Sequence, residues 1–130
     1  MDQKILVGDR LTDEMISVGQ ELVQRLDKKL TIVGAFWYLL SEPNKWRLVL
    51  STSAIRLDGP IKTYQKIQST AKQIRPTIDV ADVALISDKD PFYMMLKSTI
   101  NTGKVLGSVR FTNNVINGHH IRDALLYRVS

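Results

Sequence analysis

One stretch limits the possible folds more than any other. Residues 31–40 (Thr-Ile-Val-Gly-Ala-Phe-Trp-Tyr-Leu-Leu) are β-branched, aromatic or apolar almost throughout, a composition that suits a strand. Read with a period of two, Val33, Ala35 and Trp37 fall on one side and Ile32, Phe36 and Tyr38 on the other. Neither side is polar. A strand of this kind needs cover on both faces, which places it at the centre of a sheet with helices packed above and below.

The rest of the chain supplies those partners. Ser41-Glu42-Pro43-Asn44-Lys45 has turn chemistry. From Trp46 to about Ser53 the pattern alternates, so residues 31–53 are expected to form an antiparallel hairpin. Ahead of it, Met15, Val18, Gly19, Leu22 and Leu26 recur at helical spacing over residues 12–29. Thr12 is placed to cap that helix, with Asp9 as an alternative start. Gly19 in its apolar stripe would admit another backbone. Asp58-Gly59-Pro60 opens a second helix, with Tyr64, Ile67, Ala71 and Ile74 as its buried stripe and Arg75-Pro76 as its end. A short strand follows within residues 80–87. Asp90-Pro91 starts a third helix running to about Ile100. Residues 105–112 and 121–129 are the last two strands, joined through Asn117-Gly118, a strong hairpin signal. The reading is a single α+β domain over residues 1–130. It is a mixed five-stranded sheet with about three helices, in the order α-β-β-α-β-α-β-β. Both strand-helix-strand passages are expected to be right-handed crossovers.

Composition narrows function by exclusion. The chain has no cysteine, which removes disulfides, thiolate catalysis and cysteine-ligated metals. With no apolar run longer than residues 32–40, a cytoplasmic protein without a membrane span is expected. No dinucleotide fingerprint, phosphate loop, zinc-protease motif or EF-hand loop is present. No cofactor is therefore expected. Ser69-x-x-Lys72 with Ser87-Asp88-Lys89 and Thr102-Gly103-Lys104 mimics a penicillin-recognising set, but the chain is too short for that fold.

The net charge of +5 is uneven. Residues 43–75 hold seven basic side chains and one acidic, and residues 76–90 hold one basic and four acidic. Lys62, Lys66, Lys72 and Arg75 give the second helix a cationic face that suits nucleic-acid phosphates, although such faces are usually just solvated. Asp79, Asp82, Asp88 and Asp90 resemble a magnesium-binding set. Capping accounts for Asp90, and a solvated strand entry for Asp79 and Asp82, which leaves Asp88 over. Neither this set nor the two histidines, adjacent and so on opposite faces of a strand, predicts a tight metal site.

The densest polar group is Asn113, Asn114, Asn117, His119, His120 and Arg122. With a two-residue turn at Asn117-Gly118, Asn113 sits opposite Arg122 and His120 lies one pair nearer the tip. That arrangement makes a candidate ligand or partner site. The competing reading is a hairpin tip whose asparagines only make turns.

Trp46-Arg47-Leu48-Val49, Gly59-Pro60 followed by Tyr64 and Ile67-Gln68, and Asn114-x-Ile116-Asn117-Gly118 resemble a group of small bacterial proteins of uncharacterised function. The resemblance spans most of the chain. It implies a bacterial, cytosolic, compact domain, and carries over no activity and no site residue. The function expected on these grounds is a non-enzymatic protein-interaction module, a homodimer or the binder of a protein partner. Its contacts are expected at the open edges of Trp46–Ser53 and Ile121–Val129. The alternatives are a basic nucleic-acid-binding accessory domain, and a small hydrolase or nuclease using Asp88 or His119 and His120.

Overall fold

The computed structural model describes residues 4–130. Helix α1 (Asp13–Leu26) is capped by Thr12, whose hydroxyl accepts from the Met15 amide at 3.1 Å. It is followed by β1 (Ile32–Leu40), β2 (Lys45–Thr52), a short helix α2 (Ala54–Asp58) and α3 (Pro60–Ala71). A single 3₁₀ turn (Val80–Asp82) leads into β3 (Val83–Ser87); then come α4 (Pro91–Thr99), β4 (Val109–Ile116) and β5 (His119–Val129). The strands form one mixed sheet in the order β3-β2-β1-β5-β4. Only the β2–β3 pair is parallel. The expected α+β architecture and element order are present, with α2 as an addition.

β1 is the central strand, as its two apolar faces require. On one face Ala35, Trp37 and Leu39 meet the α1 and α3 core, built on Met15, Leu22, Leu26 and Ile67. On the other, Phe36 packs with Tyr93 and Leu96 of α4 and with Leu126. Trp37 Nε1 donates to the Tyr127 hydroxyl at 2.9 Å, and that hydroxyl donates to the Ile16 carbonyl at 2.6 Å, tying β1, β5 and α1 together. This aromatic pair, rather than another backbone, fills the space at Gly19. A Cβ there would lie 2.5 Å from the Tyr127 oxygen.

Where β1 and β5 pair, the register shifts beside Ala35, leaving Tyr127 as the extra residue. Such a bulge turns two consecutive side chains to one face. Tyr127 reaches Trp37, and Arg128 makes a two-pronged pair with Asp27 at 2.8 and 2.9 Å.

Several expectations need correction. Trp46–Ser53 and Ile121–Val129 are not open edges, since β2 lies between β1 and β3 and β5 lies between β1 and β4. The passage from β3 through α4 to β4 is not a parallel crossover. Instead α4 carries the chain across one face from one edge of the sheet to the other. Helix α3 ends at Ala71, and Tyr64 is 40% exposed rather than buried. Thr63 and Thr70 take the inward positions. Their hydroxyls bond back to the Gly59 and Lys66 carbonyls at 2.8 and 2.7 Å, so burial leaves no unsatisfied oxygen.

Candidate interaction surface

The β4–β5 hairpin has the register its turn predicts: Ile116 opposite His119, Val115 opposite His120, Asn114 opposite Ile121. Asn117 and Gly118 have φ of +48° and +80°, the left-handed pair that a two-residue turn demands. The polar residues around it do not converge. Asn113 lies in line with Arg122, between the Thr112–Asp123 and Asn114–Ile121 pairs, but its φ of +49° interrupts the regular strand there. Arg122 instead donates to the Asn44 side chain in the β1–β2 turn. The Asn117 amide reaches the Ser98 and Thr99 hydroxyls at 2.8 and 3.0 Å, fastening the tip to the last turn of α4. His119 stands edge-on to Phe92, with centroids 6.0 Å apart. Asn114 is exposed. His120 and Arg122 alone share a recess, lined also by Tyr38, Leu39, Leu40 and Ser41.

The basic residues of the second helix are all exposed. Lys62 and Lys66 are four apart and exposed on α3. Lys72 is the residue that ends α3, and the Arg75 guanidinium donates to the Lys72 and Ile74 carbonyls there. Lys72 and Arg75 border a separate recess with Lys4, Gln68 and Asp79.

Each of the four aspartates has its own structural partner. Asp79 accepts from the Ala81 amide, which holds its carboxyl below the usual range. Asp82 is buried beside Lys45 at 2.6 Å, so it is not the solvated residue expected. Asp90 caps α4 through the Phe92 and Tyr93 amides. Asp88 is gripped by Arg56, which lowers its pKa. No group of three His, Asp or Glu suited to a metal ion occurs among the described residues.

The surface has two sheet edges, β3 and β4. β4 is guarded by the charged pair Arg110–Asp123 and by the left-handed backbone at Asn113. β3 carries only Val83, Ala84, Leu85, Ile86 and Ser87. It has no charge, no proline and no bulge.

Beside β3 the sheet face is only partly covered, because α4 is nine residues long. α4 lies over Gly34, Phe36 and Leu126, and leaves an open groove of about 420 Å³. Tyr38, Leu40, Arg47, Val49, Ala84, Ile86, Asp90 and Phe92 line it. Tyr38 packs edge-on to Phe92 at 5.2 Å. Burial pushes the Tyr38 phenol up, so it keeps its proton. Arg47 stands opposite Tyr38 in the β1–β2 ladder. Its guanidinium has no ion pair or hydrogen bond among the described residues. Sequence reasoning missed this groove. The available signals were the one cation in the alternating strand Trp46-Arg47-Leu48-Val49 and the uncharged run Val83–Ser87.

The chain matches no family profile, no curated protein and no solved structure. Among the described residues no helix is long and apolar enough to cross a membrane.

Proposed function

We propose that this protein is a non-enzymatic interaction module that pairs with a second copy of itself along β3. The observation that carries this reading is the unguarded β3 edge. An exposed row of backbone donors and acceptors without charge or proline is a template for another strand. Self-pairing suits this edge because antiparallel alignment of two neutral segments sets no like charges against each other. The charged groups nearest its two ends, Lys45 with Asp82 and Arg56 with Asp88, are already paired within the chain.

A five-residue edge is too small for a standard interface, which buries about 800 Å² per partner. Further apolar surface comes from the α2–α3 arm, which Arg56 ties to the end of β3. Leu57 and Ile61 of that arm are 69% and 73% exposed, and Tyr64 follows on the same helix. The cysteine-free composition suits a reducing cytoplasm. The nucleic-acid reading draws less support, because the Arg75 guanidinium is turned onto the Lys72 and Ile74 carbonyls, and exposed lysines on a helix are ordinary solvated surface. The hydrolase reading also draws less, because Asp88 is committed to Arg56 and the two histidines are directed to different neighbours.

Light scattering at high micromolar concentration tests the proposal. The expected result is the dimer mass for the native chain and the monomer mass for Ile86→Lys and for the double variant Leu57→Glu, Ile61→Glu. Monomer mass for the native chain at that concentration overturns it.

A further inference from the structure

We propose that the groove beside α4, continued across Tyr38 and Leu40, binds an extended acidic peptide whose carboxylates flank apolar residues. Such binding does not require self-pairing through β3, since it uses the side chains of the open sheet face and not the backbone of the edge.

The groove at Arg47 and the recess at His120 and Arg122 share Tyr38 and Leu40 as walls. Together they form one trough, with about 420 Å³ on the β3 side and about 350 Å³ on the β5 side. The middle is apolar and aromatic. The cationic and imidazole groups flank Tyr38 and Leu40 of β1: Arg47 on β2 to one side, His120 and Arg122 on β5 to the other. A mostly apolar cleft with a few placed polar groups is the usual form of a binding site.

The charges favour an acidic occupant. Both guanidiniums are cationic at any physiological pH. Among the described residues Arg47 has no counter-charge, and the hydrogen-bond partner of Arg122 is a neutral asparagine. The one carboxylate in the lining, Asp90, is held by the first amides of α4. A guanidinium lying against apolar walls gains more from a carboxylate than a fully solvated one does.

The spacing of the cations sets the peptide pattern. β2 and β5 flank β1, and strands lie about 4.8 Å apart, so Arg47 and Arg122 belong to strands about 10 Å apart. Extended chain covers that distance in about three residues. The matching ligand therefore carries two acidic residues three positions apart, with apolar residues between them to fill the space over Tyr38, Val49 and Phe92.

The test uses a fluorescein-labelled peptide, Gly-Asp-Leu-Phe-Glu-Gly, and a control with lysine at both acidic positions. Binding is followed by fluorescence anisotropy at low salt. The acidic probe is expected to bind, and to shift backbone amide resonances at Tyr38, Val49 and Ala84. Its affinity should fall about tenfold with Arg47→Gln and similarly with Arg122→Gln, each removing one charge-assisted contact. Binding should also weaken as salt rises. Equal binding of the two probes, no binding of the acidic one, or an affinity unchanged by Arg47→Gln overturns the proposal. The same titration on the double variant Leu57→Glu, Ile61→Glu, altered away from the trough, separates this inference from self-pairing. A chain that is monomeric throughout yet binds the acidic probe leaves the trough standing and removes only the dimer.

Discussion

A Cβ built on Gly34 meets the Tyr93 ring and lies 3.2 Å from the Ser51 Cβ, both within well-packed surroundings. Tyr93 cannot easily retreat, because its hydroxyl is held by the Val33 and Ser130 carbonyls. Gly34→Ala is therefore expected to cost about 1–3 kcal/mol through overpacking, measured by urea denaturation. An unchanged midpoint would show that α4 yields freely at this point. Asp88 gives a prediction in pH. Arg56 and the Ser87 hydroxyl lower its folded pKa below the unfolded value, which is about 3.9. Its stabilising contribution is therefore complete above the unfolded value and is lost as pH falls through the folded one. The melting-temperature gap between the native chain and Asp88→Asn should be constant from neutral pH to about 5 and narrow below about 4. A gap that persists undiminished at pH 2 would remove the ionic account of this pair.

Among the elements, the tip of the β4–β5 hairpin is fastened to the end of α4 by one side-chain amide. Asn117 supplies both a left-handed turn residue and the amide that grips the end of α4. Asn117→Ala should cost about 1–2 kcal/mol, combining the lost contacts with an unfavourable backbone conformation. Amide hydrogen exchange should speed up at the tip and in the last turn of α4, and remain slow in β1. Faster exchange in β1 as well would mean that the hairpin is not a separately opening unit. β3 and β4 form a contrasting pair. Both are edges, but charge and a kink protect only β4. Ile86→Lys adds the missing charge to β3, which is why it serves as the dimer-breaking variant.

For the whole molecule, self-pairing through β3 makes stability depend on concentration. Unfolding a dimer releases two chains, so a tenfold increase in protein should raise the melting temperature by about 2–3 °C for a chain of this size. The double variant Leu57→Glu, Ile61→Glu should show no such dependence. A concentration-independent native melting temperature would contradict the dimer as directly as a monomer mass. Burial of the Trp37–Tyr127 pair and of Arg128 against Asp27 joins α1, β1 and β5 into one core. Calorimetry should therefore record a single transition.

By itself the sequence determined most of the elements, because capping and hydrophobic period act over a few neighbouring residues; it did not show the short α2, and β4 runs over Val109–Ile116 rather than the expected 105–112. Thr12, Pro60, Asp90 and Asn117-Gly118 each start or turn the segment expected of them, and the two apolar faces of residues 31–40 require a central strand. The position of Tyr64 was misread because two threonines can bury themselves by bonding back to the helix, an option that a hydrophobic pattern does not reveal. Strand order was beyond the sequence. β2 and β5 are apolar enough to be either edges or interior strands, and only their pairing with β3 and β4 hides them. The candidate site depended on that same long-range pairing. The turn fixed the hairpin register correctly, yet Asn113, Asn117 and Arg122 were drawn to three different places by local backbone conformation, by α4 and by the β1–β2 turn. The trough exists because α4 is too short to cover the sheet it crosses. That mismatch between two separately formed elements arises only when they pack together.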